Sequence, residues 1–245
     1  MYTVIHIISM IVAMLFNTWY GYKLGLTKLK AGLSSTFSLM LLYITMLLIP
    51  WIESGFTAFG SQNMVRAYAF APIIFIIVSK VFKIDFRTVS DMHAVWPMIL
   101  HGISHFACLI TDCCGGYEYL DGTKMCEIAN ALTGTNRIPN QIMESVAALI
   151  IALVFFLIAW KKKFKLNGRL FYVMILVYGI NRFGWEFLRN NNKVVVFGEM
   201  SNAISGDFGL SNLSFYCIAM IVVAISFLVA FHIIDKKKAA AEKAE

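Results

Sequence analysis

The sequence predicts an all-α, polytopic integral membrane bundle of about seven transmembrane helices, with the N-terminus outside and the C-terminus cytoplasmic. Three observations carry this reading. Of 245 residues, 59% are hydrophobic and only 14% charged, where a soluble domain carries about 25% charged residues. The apolar residues gather into runs of about 16 to 20, close to the length that crosses roughly 30 Å of hydrocarbon. Lysine and arginine fall in every second connection between those runs.

The runs are 2–19, 33–51, 64–82, 95–110, 141–160, 169–188 and 215–234. The first lacks a basic leading region and a small-residue cleavage site, so it is read as a retained span. The fourth and sixth carry polar residues. Their place as spans follows from the connections: Lys23, Lys28 and Lys30 in the first, Lys80, Lys83 and Arg87 in the third, "KKKFKLNGR" in the fifth and "DKKKAAAEKAE" in the tail. Losing either span would put a basic loop outside, against the tendency of basic loops to stay cytoplasmic. Residues 1–235 thus read as one transmembrane domain and 236–245 as a cytoplasmic basic tail. The net charge of +7 is then a topology signal, and without a soluble basic domain no nucleic-acid partner is expected.

Ionisable side chains are costly in hydrocarbon, so those inside a span mark function or helix contacts. In the sixth run, "VYGINRFGWEFLRN", Tyr178, Arg182, Glu186 and Arg189 lie within about 80° of one another, along about 16 Å of helix. They form either an internal ion pair locking helices together or the wall of a polar cavity open to the outer face. The fifth run opens "RIPNQIMESV", with Gln141 and Glu144 on one face near the same surface; Glu144 is also placed to complement the helix dipole. In the fourth, His101, His105 and Cys108 follow an H-x3-H-x2-C spacing and Asp112 continues it. That spacing suits a metal, but no matching ligand cluster occurs elsewhere in the sequence, so neither metal nor cofactor is expected. Cys108, Cys113, Cys114 and Cys126 fall near the outer face, where Cys126 pairing with Cys113 or Cys114 stays open.

Four ordered blocks between Val89 and Arg189 resemble the prolipoprotein diacylglyceryl transferase family: "VSD", "SHFACLITDCCGG", "PNQIMES" and "YGINRFGWEFLR". The last is the most specific. The resemblance implies a multi-pass enzyme of the bacterial cytoplasmic (inner) membrane. Such an enzyme transfers the diacylglyceryl group of phosphatidylglycerol to the lipobox cysteine of prolipoproteins, so its implied partners are phosphatidylglycerol, prolipoprotein signal peptides and membrane lipid. It implies catalytic roles for Arg182, Glu186 and Tyr178, with Gln141, Glu144, Gly116, Cys108 and Arg189 lining the substrate site.

Two positions depart from the family pattern. His105 stands where the signature carries an arginine, and Val65, Arg66 and Ala67 stand where a His-Gly-Gly element would fall. His105, with His101 one turn deeper, reads as either the group for proton transfer, since its ordinary pKa suits that near neutral pH, or a structurally satisfied helix histidine, and Arg66 is the candidate second cation for a phosphate. Two other functions remain open: a diverged phospholipid-headgroup enzyme with another acceptor, and a non-catalytic membrane protein that binds lipid or signal peptides.

Overall fold

A computed structural model describes residues 2–57, 64–111, 115–116, 122–188, 193–196, 199–202 and 212–243. The apolar runs fold as helices, as a chain in lipid must if its backbone is to satisfy its own hydrogen bonds. The first run is α1 (Tyr2–Lys23) and the second is α2 (Lys28–Glu53), whose N-cap Thr27 accepts a hydrogen bond from the Lys30 amide. Buried Asn17 on α1 and Ser35 on α2 hydrogen-bond at 2.9 Å and pin the two helices together.

The third run is not one helix. It divides into α3 (Met64–Ala69) and α4 (Ala71–Phe82). Pro72 sits at the start of α4, where its missing N–H costs nothing and its ring forbids continuation of the preceding helix. The fourth run also extends further back than its apolar residues suggest. Asp85 caps α5 (Phe86–Met92) through the amides of Arg87 and Thr88, and α6 (Trp96–Thr111) follows after a short break.

A short helix α7 (Lys124–Thr133) precedes α8 (Asn140–Lys161) and α9 (Leu170–Glu186), and α10 (Asn212–Ala241) completes the set. Between α9 and α10 lies a small antiparallel hairpin, β1 (Lys193–Val196) and β2 (Glu199–Asn202), in the register Lys193 opposite Asn202. Among the described residues, five helical segments are long and apolar enough to cross a membrane: 4–23, 28–53, 86–110, 140–161 and 213–241. α4 is apolar but shorter, at 12 residues, and α9 has 17 residues and carries Arg182 and Glu186.

Helix α6 is central, packed against both α1 and α8, while α9 packs against α10 and α8. The outward faces are apolar: Ile7, Ile11 and Leu15 on α1, Ile150 and Leu153 on α8 and Val222 on α10 are all exposed. Such a surface is what a lipid environment requires, and water would not tolerate it over this area. The buried charged and histidine side chains instead lie toward the two ends of the bundle.

One end gathers the basic connections. There Asp91 of α5 is buried and accepts hydrogen bonds from the amides of Gly168 (2.5 Å) and Leu170 (3.0 Å), fastening the start of α9. Asp235 of α10 bridges Arg87 (2.7 Å) and Arg169 (2.6 Å) beside it. The other end, where α2 and α9 finish and α8 and α10 begin, holds the candidate site.

Candidate active site

Three helices build the site. On α6, His101 and His105 stand one turn apart with ring centroids 4.3 Å from each other. Gly102 between them lets α8 come close: a Cβ there would lie 2.6 Å from Leu149 Cγ and 3.1 Å from the Ser145 carbonyl oxygen. α8 starts just after Pro139, where Asn140 Nδ2 donates to the Leu188 carbonyl at 3.1 Å and ties this helix to the end of α9. Glu144 follows one turn later, and α9 supplies Tyr178, Arg182 and Glu186 along one face, as their spacing predicts.

These side chains converge. Glu144 divides its carboxylate: Oε1 lies 3.5 Å from Arg182 Nη1, while Oε2 lies 3.6 Å from His105 Nε2 and 4.0 Å from His101 Nε2. Arg182 Nη2 contacts Glu186 Oε1 at 2.5 Å. The Tyr178 hydroxyl lies 3.0 Å from His101 Nε2, and its ring meets that of Tyr68 edge-on. Tyr68 is fixed in turn by donating to the Pro97 carbonyl at 3.0 Å.

Burial gives these contacts their weight. Arg182 and Glu144 are almost wholly enclosed, with side chains 1% and 2% exposed, whereas His105 keeps 11%. A buried guanidinium between two carboxylates is held in one orientation, because removing either partner would leave an uncompensated charge in a low-dielectric interior. Of the two readings of the α9 stripe, these contacts carry the ion pair: Glu186 and Glu144 hold Arg182, while the histidine pair faces Glu144 from the other side.

The remaining candidates fall around this centre. Gln141 is buried one turn before Glu144, and Cys108 is buried three residues beyond His105. The Gly116 amide donates to the Ile138 carbonyl at 2.9 Å, and a Cβ at Gly116 would lie 2.7 Å from the Leu188 carbonyl oxygen, so the chain passes there only without a side chain. Arg66, the candidate second cation, has its own carboxylate: Nη2 lies 2.8 Å from Glu53 Oε2, and Tyr216, whose hydroxyl donates to Glu53 Oε1 at 2.5 Å, lies under the guanidinium. Arg189, Asp112, Cys113 and Cys114 lie outside the described residues.

Sequence reasoning missed Glu53, Tyr68 and Asn140. Glu53 is the last residue of an otherwise apolar α2, and a lone carboxylate at a span end is itself a usable signal. Tyr68 and Asn140 gave none, since their roles depend on contacts with other helices.

A helical bundle with apolar outward faces and a buried, charge-paired cluster at one end defines a multi-pass membrane protein. Residues 1–230 match the family model of the prolipoprotein diacylglyceryl transferases, and the chain belongs to that family of transferases. It is also similar to a phosphatidylglycerol--prolipoprotein diacylglyceryl transferase 2 of Clostridium perfringens, 29% identical over 104 residues. That match spans 42% of this chain and 40% of the relative.

Proposed function

We propose that this protein transfers the diacylglyceryl group of phosphatidylglycerol to the lipobox cysteine thiol of prolipoproteins at the outer face of the bacterial cytoplasmic membrane. The observation that carries the reading is the buried Arg182 held between Glu144 and Glu186 (3.5 and 2.5 Å) beside a histidine pair. Family membership and the Clostridium perfringens relative support the reaction class. The outer-face assignment rests on the basic connections, which gather at the end of the bundle opposite the site.

In this reaction the cysteine sulfur forms a C–S bond to the glyceryl carbon, the carbon–oxygen bond to the phosphate breaks, and glycerol phosphate leaves with the electron pair. Negative charge grows on the departing phosphate, and the thiol must give up its proton. Arg182 is the cation facing that phosphate; its planar fork can grip two oxygens, and its two carboxylates set the direction of the fork. Thiol activation falls to the group formed by His101, His105 and Glu144. Imidazole is the side chain whose ordinary titration range suits proton transfer near neutral pH. Tyr178 positions His101 through its hydroxyl, 3.0 Å from Nε2.

The test is replacement of the transferase in a conditionally depleted bacterium, with the mass of a lipoprotein read directly. The expected result is a diacylglyceryl adduct, absent with Arg182→Ala. Good membrane expression without any adduct overturns the assignment.

The histidine pair favours one second reading, because a permanently charged arginine is missing at His105. In that reading the same headgroup site serves another acceptor. Phosphatidylglycerol is then consumed, with release of a headgroup fragment, while the lipobox peptide stays unmodified.

A further inference from the structure

We propose that His101, His105 and Glu144 form a binding site for a divalent transition-metal ion of the zinc class. The sequence offers the two histidines as i and i+4 on one helical face, a spacing that chelates zinc in unrelated enzymes. It does not offer the third ligand, since Glu144 is 39 residues further along the chain. The fold supplies it: Gly102 admits α8 against α6, and one donor atom from each of the three residues lies within 4.8 Å of the others.

The donor separations suit a shared ion. Here Oε2 stands 3.6 Å from His105 Nε2 and 4.0 Å from His101 Nε2. Donors arranged tetrahedrally about an ion with bonds of about 2.1 Å are separated by about 3.4 Å, so small side-chain adjustments close the set. The other carboxylate oxygen, Oε1, faces Arg182 at 3.5 Å and is left to it.

Two nitrogens and one oxygen suit zinc-class ions, whereas magnesium and calcium take oxygen donors. Three protein donors also leave a position open, as catalytic zinc sites do. On binding, His101 Nε2 exchanges the nearby Tyr178 hydroxyl for the metal. Beside Arg182, the cation would supply a second positive centre for a phosphate oxygen or thiolate, and thiol activation would pass to it from the imidazoles whose Nε2 atoms it occupies. Only that role rests on the transferase reading; binding of the ion does not.

The experiment loads the full-length, detergent-solubilised protein with Zn2+, removes excess by gel filtration and measures retained zinc by elemental mass spectrometry. Co2+ loading is followed by visible d–d absorption. The expected result is about one zinc per chain, falling about tenfold or more in His101→Gln, His105→Gln and Glu144→Gln variants that elute as the wild type does. The cobalt bands should be lost with it. Cys108→Ser should keep the metal, which separates the folded triad from the H-x3-H-x2-C spacing.

Wild-type protein that retains no stoichiometric zinc overturns the proposal whatever the variants do. So does zinc that survives Glu144→Gln but is lost in Cys108→Ser. Lipoprotein mass is read separately: full lipidation by a protein that binds no metal removes the ion and leaves the transferase, while zinc binding without lipidation does the reverse.

Discussion

Two buried carboxylates, one at each end of the bundle, are satisfied in different ways. Asp91 spends its oxygens on backbone amides, those of Gly168 and Leu170. Glu144 spends its oxygens on side chains that carry or can acquire charge, Arg182 and the two histidines. A carboxylate bound to backbone fixes where a helix starts and has nothing left to offer a substrate. One shared among ionisable side chains orients them, as the proposed transferase site requires. The "VSD" block and the "PNQIMES" block both carry an acid, and only the partners separate the anchor from the site.

The strongest way to break this contrast is Arg182→Ala. Loss of one preorganised charge from a reacting site costs about a hundredfold to a thousandfold in rate. Here it also strands Glu144 and Glu186, which costs about 3 to 5 kcal/mol of stability. Lipoprotein mass and thermal unfolding in detergent should both report it, and Arg182→Lys should recover stability before activity.

Asp91→Ala should move stability alone. Hydrogen bonds to a charged group are worth about 1.5 to 3 kcal/mol each, so the melting temperature should fall clearly while activity per folded molecule is kept. A selective loss of activity at unchanged melting temperature would show that Asp91 does more than anchor α9.

Gly102→Ala tests whether helix approach assembles the site. Overpacking against Leu149 should cost about 1 to 3 kcal/mol, and activity should fall further than stability because His101 and His105 move away from Glu144. Tyr178→Phe is gentler: one hydrogen bond of about 1 kcal/mol is lost, so activity should drop about tenfold or less with the fold intact. The smallest effect belongs to Asp235→Ala, where the bridges to Arg87 and Arg169 are part-exposed. Its melting shift should be slight and should vanish in high salt.

Much of this was readable in advance. Every apolar run became helix, because burial in lipid leaves the backbone few alternatives. Tyr178, Arg182 and Glu186 share a face because helical periodicity is a local rule. The break before α4 is hidden by an apolar run that continues across it, although Pro72 marks it. The depth of Asp91 was missed because α5 is polar in sequence and buried by its neighbours.

The sequence alone determined that this chain is a multi-helix membrane protein, which residues share each helical face, and which end of the bundle is basic. All three depend on composition or on spacing along one helix. Tertiary structure decided that Glu144 meets both Arg182 and the histidine pair, that Arg66 pairs with Glu53, and that Asp91 holds α9. Those outcomes depend on how closely helices distant in sequence approach one another, which side-chain shape at contacts such as Gly102 against Leu149 sets and no periodicity encodes.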